Sequence, residues 1–130
     1  MAGRPERLIQ MKPNYGCPVQ ATINVLAGKW KVMILWHLGF GTKRFAELKR
    51  LLPGVSEKVL ADQLRQLQAD RVIERSSDGG SPARVDYRLT DAGQKLIPEM
   101  ERLCNWGSRH FGIAPNLPRP KRTRSSVTSD

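Results

Sequence analysis

Five polar side chains lie close together near the middle of the chain: Ser56, Lys58, Asp62, Arg65 and Gln66. Beside them Leu60, Leu64 and Leu67 recur at i, i+4 and i+7, the spacing of one buried helical stripe. At about 100° per residue, the opposite face carries Lys58, Asp62, Arg65 and Gln66. These side-chain types suit the edges of nucleic-acid bases. An arginine fork matches guanine, and a glutamine amide matches adenine. Ser56 stands where the helix starts, so its hydroxyl and the free backbone N–H groups suit a phosphate. Val59 follows three residues later, so a capping box is not expected. Lys58 can reach a base or a phosphate. Asp62 can accept from a cytosine amino group or orient Arg65. An amphipathic helix with a merely solvated polar face has the same pattern, so the surroundings must decide.

Further basic residues flank this segment. Lys43-Arg44 opens the preceding short helix and suits phosphate contacts. Arg84 and Arg88 bracket a strand-like stretch after it. Arg88 can instead pair with Asp86 or with a residue of another helix. Ser76 to Pro82 reads as a hairpin loop, with Gly79-Gly80 allowing close approach and Asp78 opposing phosphate. Cys17 precedes Pro18 at a helix start, a position that favours a thiolate. Lys29 and Lys31 would add positive potential there if folded nearby. The bland alternative is a small residue packed at a seam. Cys104 lies on an apolar helix face and reads as inert core or interface. The two cysteines and two histidines lack metal-ligand spacing, so no metal and no cofactor is expected. No nucleophile elbow, P-loop or His-Glu-x-x-His stands in the chain, which points away from an enzyme. His37 reads as a satisfied core histidine and His110 as a cap of the last helix. Trp30, Trp36 and Trp106 read as core.

The elements that must carry these residues punctuate themselves. Pro18 opens a helix with Val19, Ile23 and Leu26, closed by Gly28. Lys29 to Leu38 is apolar nearly all round and should be the central buried helix. Phe45, Leu48, Leu51 and Leu52 mark a third helix, stopped by Pro53-Gly54. The helix begun at Ser56 follows. Val72–Arg75 and Arg84–Leu89 read as strands, with Val85, Tyr87 and Leu89 on one face. Thr90 or Asp91 starts a last helix, in which Pro98 predicts a kink or a break. The order is mainly α with a small β-hairpin, a winged helix-turn-helix. In that arrangement the fourth helix enters the major groove and the hairpin loop touches the backbone or minor groove.

Charge agrees with a polyanionic partner. The 130 residues hold 22 Lys+Arg against 12 Asp+Glu, a net charge of +10. A head, residues 1–14, contributes +2, and residues 115–130 contribute +3. The remaining +5 lies in the presumed folded domain, residues 15–112. The head reads as an arm. Residues 113–130, rich in Pro, Lys, Arg, Ser and Thr, read as a basic disordered tail. No apolar run is long enough to span a membrane, and residues 1–12 lack the apolar stretch of a signal peptide. A cytoplasmic protein without membrane attachment is expected.

Several stretches in fixed order carry a resemblance: Cys17-Pro18-Val19, Gly28-Lys29-Trp30-Lys31, Lys43 to Leu48, Leu52 to Ser56, Leu60 to Leu67 and Pro82 to Thr90. Across residues 16–112 the chain resembles the HxlR family of bacterial winged-helix transcriptional regulators. The resemblance implies a homodimer on a short inverted repeat of double-stranded DNA. It implies dimerisation through the first and last helices, residues 18–27 and 91–111. It also implies a candidate redox or electrophile sensor at Cys17, with a small electrophile or oxidant as effector. Two rival readings fit the same residues. One is a non-specific nucleic-acid binder driven by its basic tails. The other is a protein-interaction module on the same fold.

Overall fold

A computed structural model of the chain describes residues 17–115. The head and residues 116–130 lie outside the described residues, so the arm and most of the expected tail do too. The element order is α1 (Pro18–Leu26), α2 (Lys31–Leu38), β1 (Lys43–Arg44), α3 (Phe45–Leu51), α4 (Glu57–Ala69), β2 (Ile73–Ser77), β3 (Val85–Leu89) and α5 (Asp91–Phe111). This is the expected winged helix-turn-helix with one added strand. Among the described residues no helix is long and apolar enough to cross a membrane.

Helix α2 is the centre. Ile34, Leu35, Trp36 and Leu38 are all buried, as its all-round apolar sequence requires. Leu48 and Leu52 reach the same core from the α3 segment, and Leu60, Leu64 and Leu67 from α4. Tyr87 and Leu89 close it from β3, and Ile97 and Met100 from α5. The leucine stripe of α4 therefore faces inward, which fixes the polar face outward.

The sheet is antiparallel in the order β1-β3-β2. Lys43-Arg44 is a strand, not the first turn of a helix: Lys43 pairs with Tyr87 and Arg44 with Asp86. A two-residue strand carries no periodicity, so only its partner reveals it. Helix α3 starts just after it, where the Arg44 backbone N–H donates to the Glu47 carboxylate at 2.8 Å. Strand β2 extends to Ser77 because Ser76 and Ser77 still find partners in Asp86 and Val85.

Helix α5 runs unbroken for 21 residues through Pro98, so of the expected kink or break the break does not occur. Proline removes one backbone donor, and the turns on either side hold the helix. Its start is locked to the end of α4. Arg71 adopts φ 64°. There the Arg71 N–H donates to the Gln68 carbonyl at 2.9 Å and the Val72 N–H to the Leu67 carbonyl at 3.2 Å. That pair of hydrogen bonds closes a helix around a left-handed residue. Thr90 then donates its N–H to the Val72 carbonyl (3.1 Å) and its hydroxyl to the Arg71 carbonyl (2.8 Å). The same hydroxyl oxygen accepts from the Gly93 N–H at 3.1 Å. Gly93 lies directly on the Val72 carbonyl.

Three side chains depart from expectation. Trp106 is 56% exposed and lies outside the core, unlike buried Trp36 and half-buried Trp30. His110 stacks on Trp106 at 4.7 Å, and Gly112, at φ 69°, closes the helix instead. His37 is buried, but its Nε2 has no hydrogen-bond partner among the described residues, so it is not satisfied.

His37 gives a pH prediction. Burial first, then the Lys43 ammonium, hold its imidazole below the usual 6.5. The folded state therefore prefers the neutral ring, and the unfolded chain takes up the proton first as pH falls. This contribution to stability is complete above about pH 6.5 and is lost as pH falls from there through the lowered folded value. Thermal melts between about pH 8 and about pH 5 should show that decline, and His37→Gln should flatten it.

Candidate nucleic-acid interface

Helix α4 begins at Ser56, whose Oγ accepts from the Val59 backbone N–H at 3.0 Å. The Ser56 O–H remains able to donate to an anion there. Lys58 is exposed in the first turn and forms no ion pair among the described residues. Further along, the structure brings Asp62, Arg65 and Gln66 together. Arg65 donates to Asp62 Oδ1 at 3.3 Å, and Gln66 Nε2 donates to Asp62 Oδ2 at 3.2 Å. The Arg65 and Asp62 side chains are 68% and 54% exposed, so the cluster is open to a ligand. Of the two roles open to Asp62, the geometry matches the orienting one.

The turn between α3 and α4 places Gly54 at φ 91°, beside the Trp30 ring. Only glycine adopts that conformation without strain. The turn sets α4 against α3 and so fixes where its polar face looks.

The wing is β2, β3 and the loop between them. Asp78 organises that loop. Its Oδ1 accepts from the backbone N–H groups of Gly80 (2.8 Å) and Arg84 (2.9 Å). The Arg84 bond first, then that from Gly80, holds the Asp78 carboxyl below the usual carboxylate range. The acid thus turns toward its own backbone. Arg84 is exposed beside it and forms no ion pair among the described residues.

The other basic candidates are less open. Arg88 pairs across the strands with Glu74 at 3.0 Å, and neither with Asp86 nor with another helix. Residues opposite each other on paired strands share a face, which sequence reading of β3 alone missed. Arg44 lies 3.9 Å from Asp86 by the same rule. Lys43 is half-buried, pairs with inward-facing Tyr87 and acts on His37. Of the candidate cations, Lys58 and Arg84 are exposed without an acidic partner among the described residues, and Arg65 has its Asp62 bond.

Cys17 is exposed at the N-cap of α1. The two lysines expected near it are engaged elsewhere: Lys29 lies over the Trp30 ring, 4.8 Å from its centroid, and Lys31 is buried. Cys104 is partly buried on α5. Apolar side chains are also exposed on each of the two helices, which the sequence did not foresee as such. Val19 and Ile23 are exposed on α1, and Leu103, Trp106 and Phe111 on α5.

Comparison with known proteins agrees with this architecture. The model of the HxlR-like helix-turn-helix family matches residues 25–114. The chain is 46% identical over 100 residues to the uncharacterised HTH-type transcriptional regulator YtcD of Bacillus subtilis, covering 77% of this chain and 79% of YtcD. The redox regulator HypR in its reduced form superposes with a TM-score of 0.69 at 36% identity, over 73% of this chain and 94% of that one. The reduced form of the regulator YodB from B. subtilis superposes with a TM-score of 0.66 at 30% identity, over 72% and 92%. The chain belongs to the HxlR-like helix-turn-helix family of transcriptional regulators.

Proposed function

We propose that the chain is a homodimeric, sequence-specific DNA-binding regulator that places α4 in the major groove and the wing against the backbone. The observation that carries this reading is the split of α4. Leu60, Leu64 and Leu67 are buried, while Arg65, Asp62 and Lys58 are exposed on the other side. Basic charge captures the duplex, and base-edge contacts then discriminate. Arg65 and Gln66 read bases, and Ser56, Lys58 and Arg84 hold phosphates. Arg44 and Arg88 stay secondary phosphate contacts because each already has an acidic partner, and Lys43 because it is half-buried. The apolar surface of α1 and α5 is the seam for a second copy.

Arg65→Ala is expected to relax discrimination at one base pair by about 1–3 kcal/mol. Anisotropy with a set of single-base variants of the preferred duplex checks this. Equal affinity for all sequences, with binding lost on deleting residues 115–130, would favour the non-specific binder instead.

Cys17 is the candidate thiol switch of this regulator. It is exposed at the start of a seam helix, and the related HypR is a redox regulator. Diamide is expected to abolish selective DNA binding by the unaltered protein and to leave Cys17→Ser unaffected. Selective binding indifferent to diamide would keep the regulator and discard the switch.

A further inference from the structure

We propose that Asp62 is a positioning residue for sequence readout, its one carboxylate holding Arg65 and Gln66 as a preset fork on the exposed face of α4. The proposal rests on the regulator reading above and deepens it by giving the acid a role. Each carboxylate oxygen serves a different side chain: Oδ1 takes Arg65 at 3.3 Å and Oδ2 takes Gln66 at 3.2 Å. The spacings i+3 and i+4 put all three on one helical face.

The donor count fits a readout role. Arg65 uses one of five N–H donors and keeps enough for a bidentate guanine contact. Gln66 uses one of its two amide N–H groups. It keeps the other N–H and its carbonyl oxygen, the pair that adenine requires. A carboxylate only accepts, so it also fixes which end of the Gln66 amide turns toward it. Long, flexible side chains lose rotamer freedom when they bind, and ordering them beforehand reduces that loss.

Charge points the same way. A carboxylate on a face that approaches phosphates weakens attraction for every sequence equally. Asp62 therefore lowers non-specific affinity while it sharpens the specific contacts.

The test starts by selecting a preferred duplex from a randomised library with the unaltered full-length protein. Anisotropy then compares that duplex with a scrambled one for Asp62→Ala, Asp62→Asn, Arg65→Ala with Gln66→Ala, and all three alanines together. Asp62→Ala is expected to lower the preference about tenfold, with scrambled-duplex affinity equal or higher. The loss falls at the base pairs that Arg65 and Gln66 read. Removing Asp62 when both partners are already alanine costs nothing further. Asp62→Asn, which keeps one acceptor oxygen, falls between. Asp62 is exposed, so unchanged melting temperatures are expected alongside. Three results overturn the proposal: an unchanged preference, equal weakening on both duplexes, or an additive loss at a cytosine that the partners do not read. Unaltered protein that selects no sequence removes the regulator reading and this proposal together, and shows itself before any variant is made.

Discussion

A Trp106→Glu variant is expected to fold normally, to be monomeric, and to bind a duplex with two half-sites about 10²- to 10⁴-fold more weakly. Trp106 is 56% exposed in the single chain, so its loss leaves no cavity. It stacks on His110 and meets Phe111 edge-on, beside exposed Leu103. An aromatic and aliphatic surface of this kind suits a partner surface of the same composition. A carboxylate at its centre would be buried without a partner on assembly, which disfavours the pair strongly. Each monomer would then bind one half-site without the effective concentration supplied by its neighbour. Light scattering reads the mass, and anisotropy on one-site and two-site duplexes reads the linkage. A dimer that persists with unchanged affinity would move the seam elsewhere.

Gly93→Ala is expected to destabilise the fold by about 3 kcal/mol. Within a helix, replacing glycine by alanine ordinarily stabilises by about 1 kcal/mol. The sign reverses here because the added methyl would overlap the Val72 carbonyl oxygen. That oxygen is backbone and already accepts the Thr90 N–H at 3.1 Å, so it has little room to yield. The joint ties the end of α4 to the start of α5, the DNA-reading helix to the seam helix in our reading. Urea titration of both proteins measures the difference. A neutral or stabilised variant would show that the joint is slack.

The sequence displayed the helices well because each had its own punctuation. Pro18 and Ser56 mark starts, and the leucines of α4 mark a face. The α4 polar face was legible for the same reason: burying one stripe determines the other. What sequence hid was pairing between distant segments. Lys43-Arg44 became a strand only through Tyr87 and Asp86, and Arg88 met Glu74 only through strand register. The end of α4 carried no glycine, since Arg71 itself takes the left-handed turn. Trp106 misled because an apolar residue at helical spacing looks the same whether it faces a core or a surface. His37 misled because burial was readable and the lack of a partner for Nε2 was not.

Selection from a randomised duplex library reads the sequence selectivity of the protein itself. An inverted repeat whose half-site centres lie about 34 Å apart, one helical turn, is expected to be enriched. The enriched duplex should bind at least about 10³-fold more tightly than a scrambled one at physiological salt. A library that emerges unenriched, with equal affinity for enriched and scrambled duplexes, would contradict sequence-specific binding.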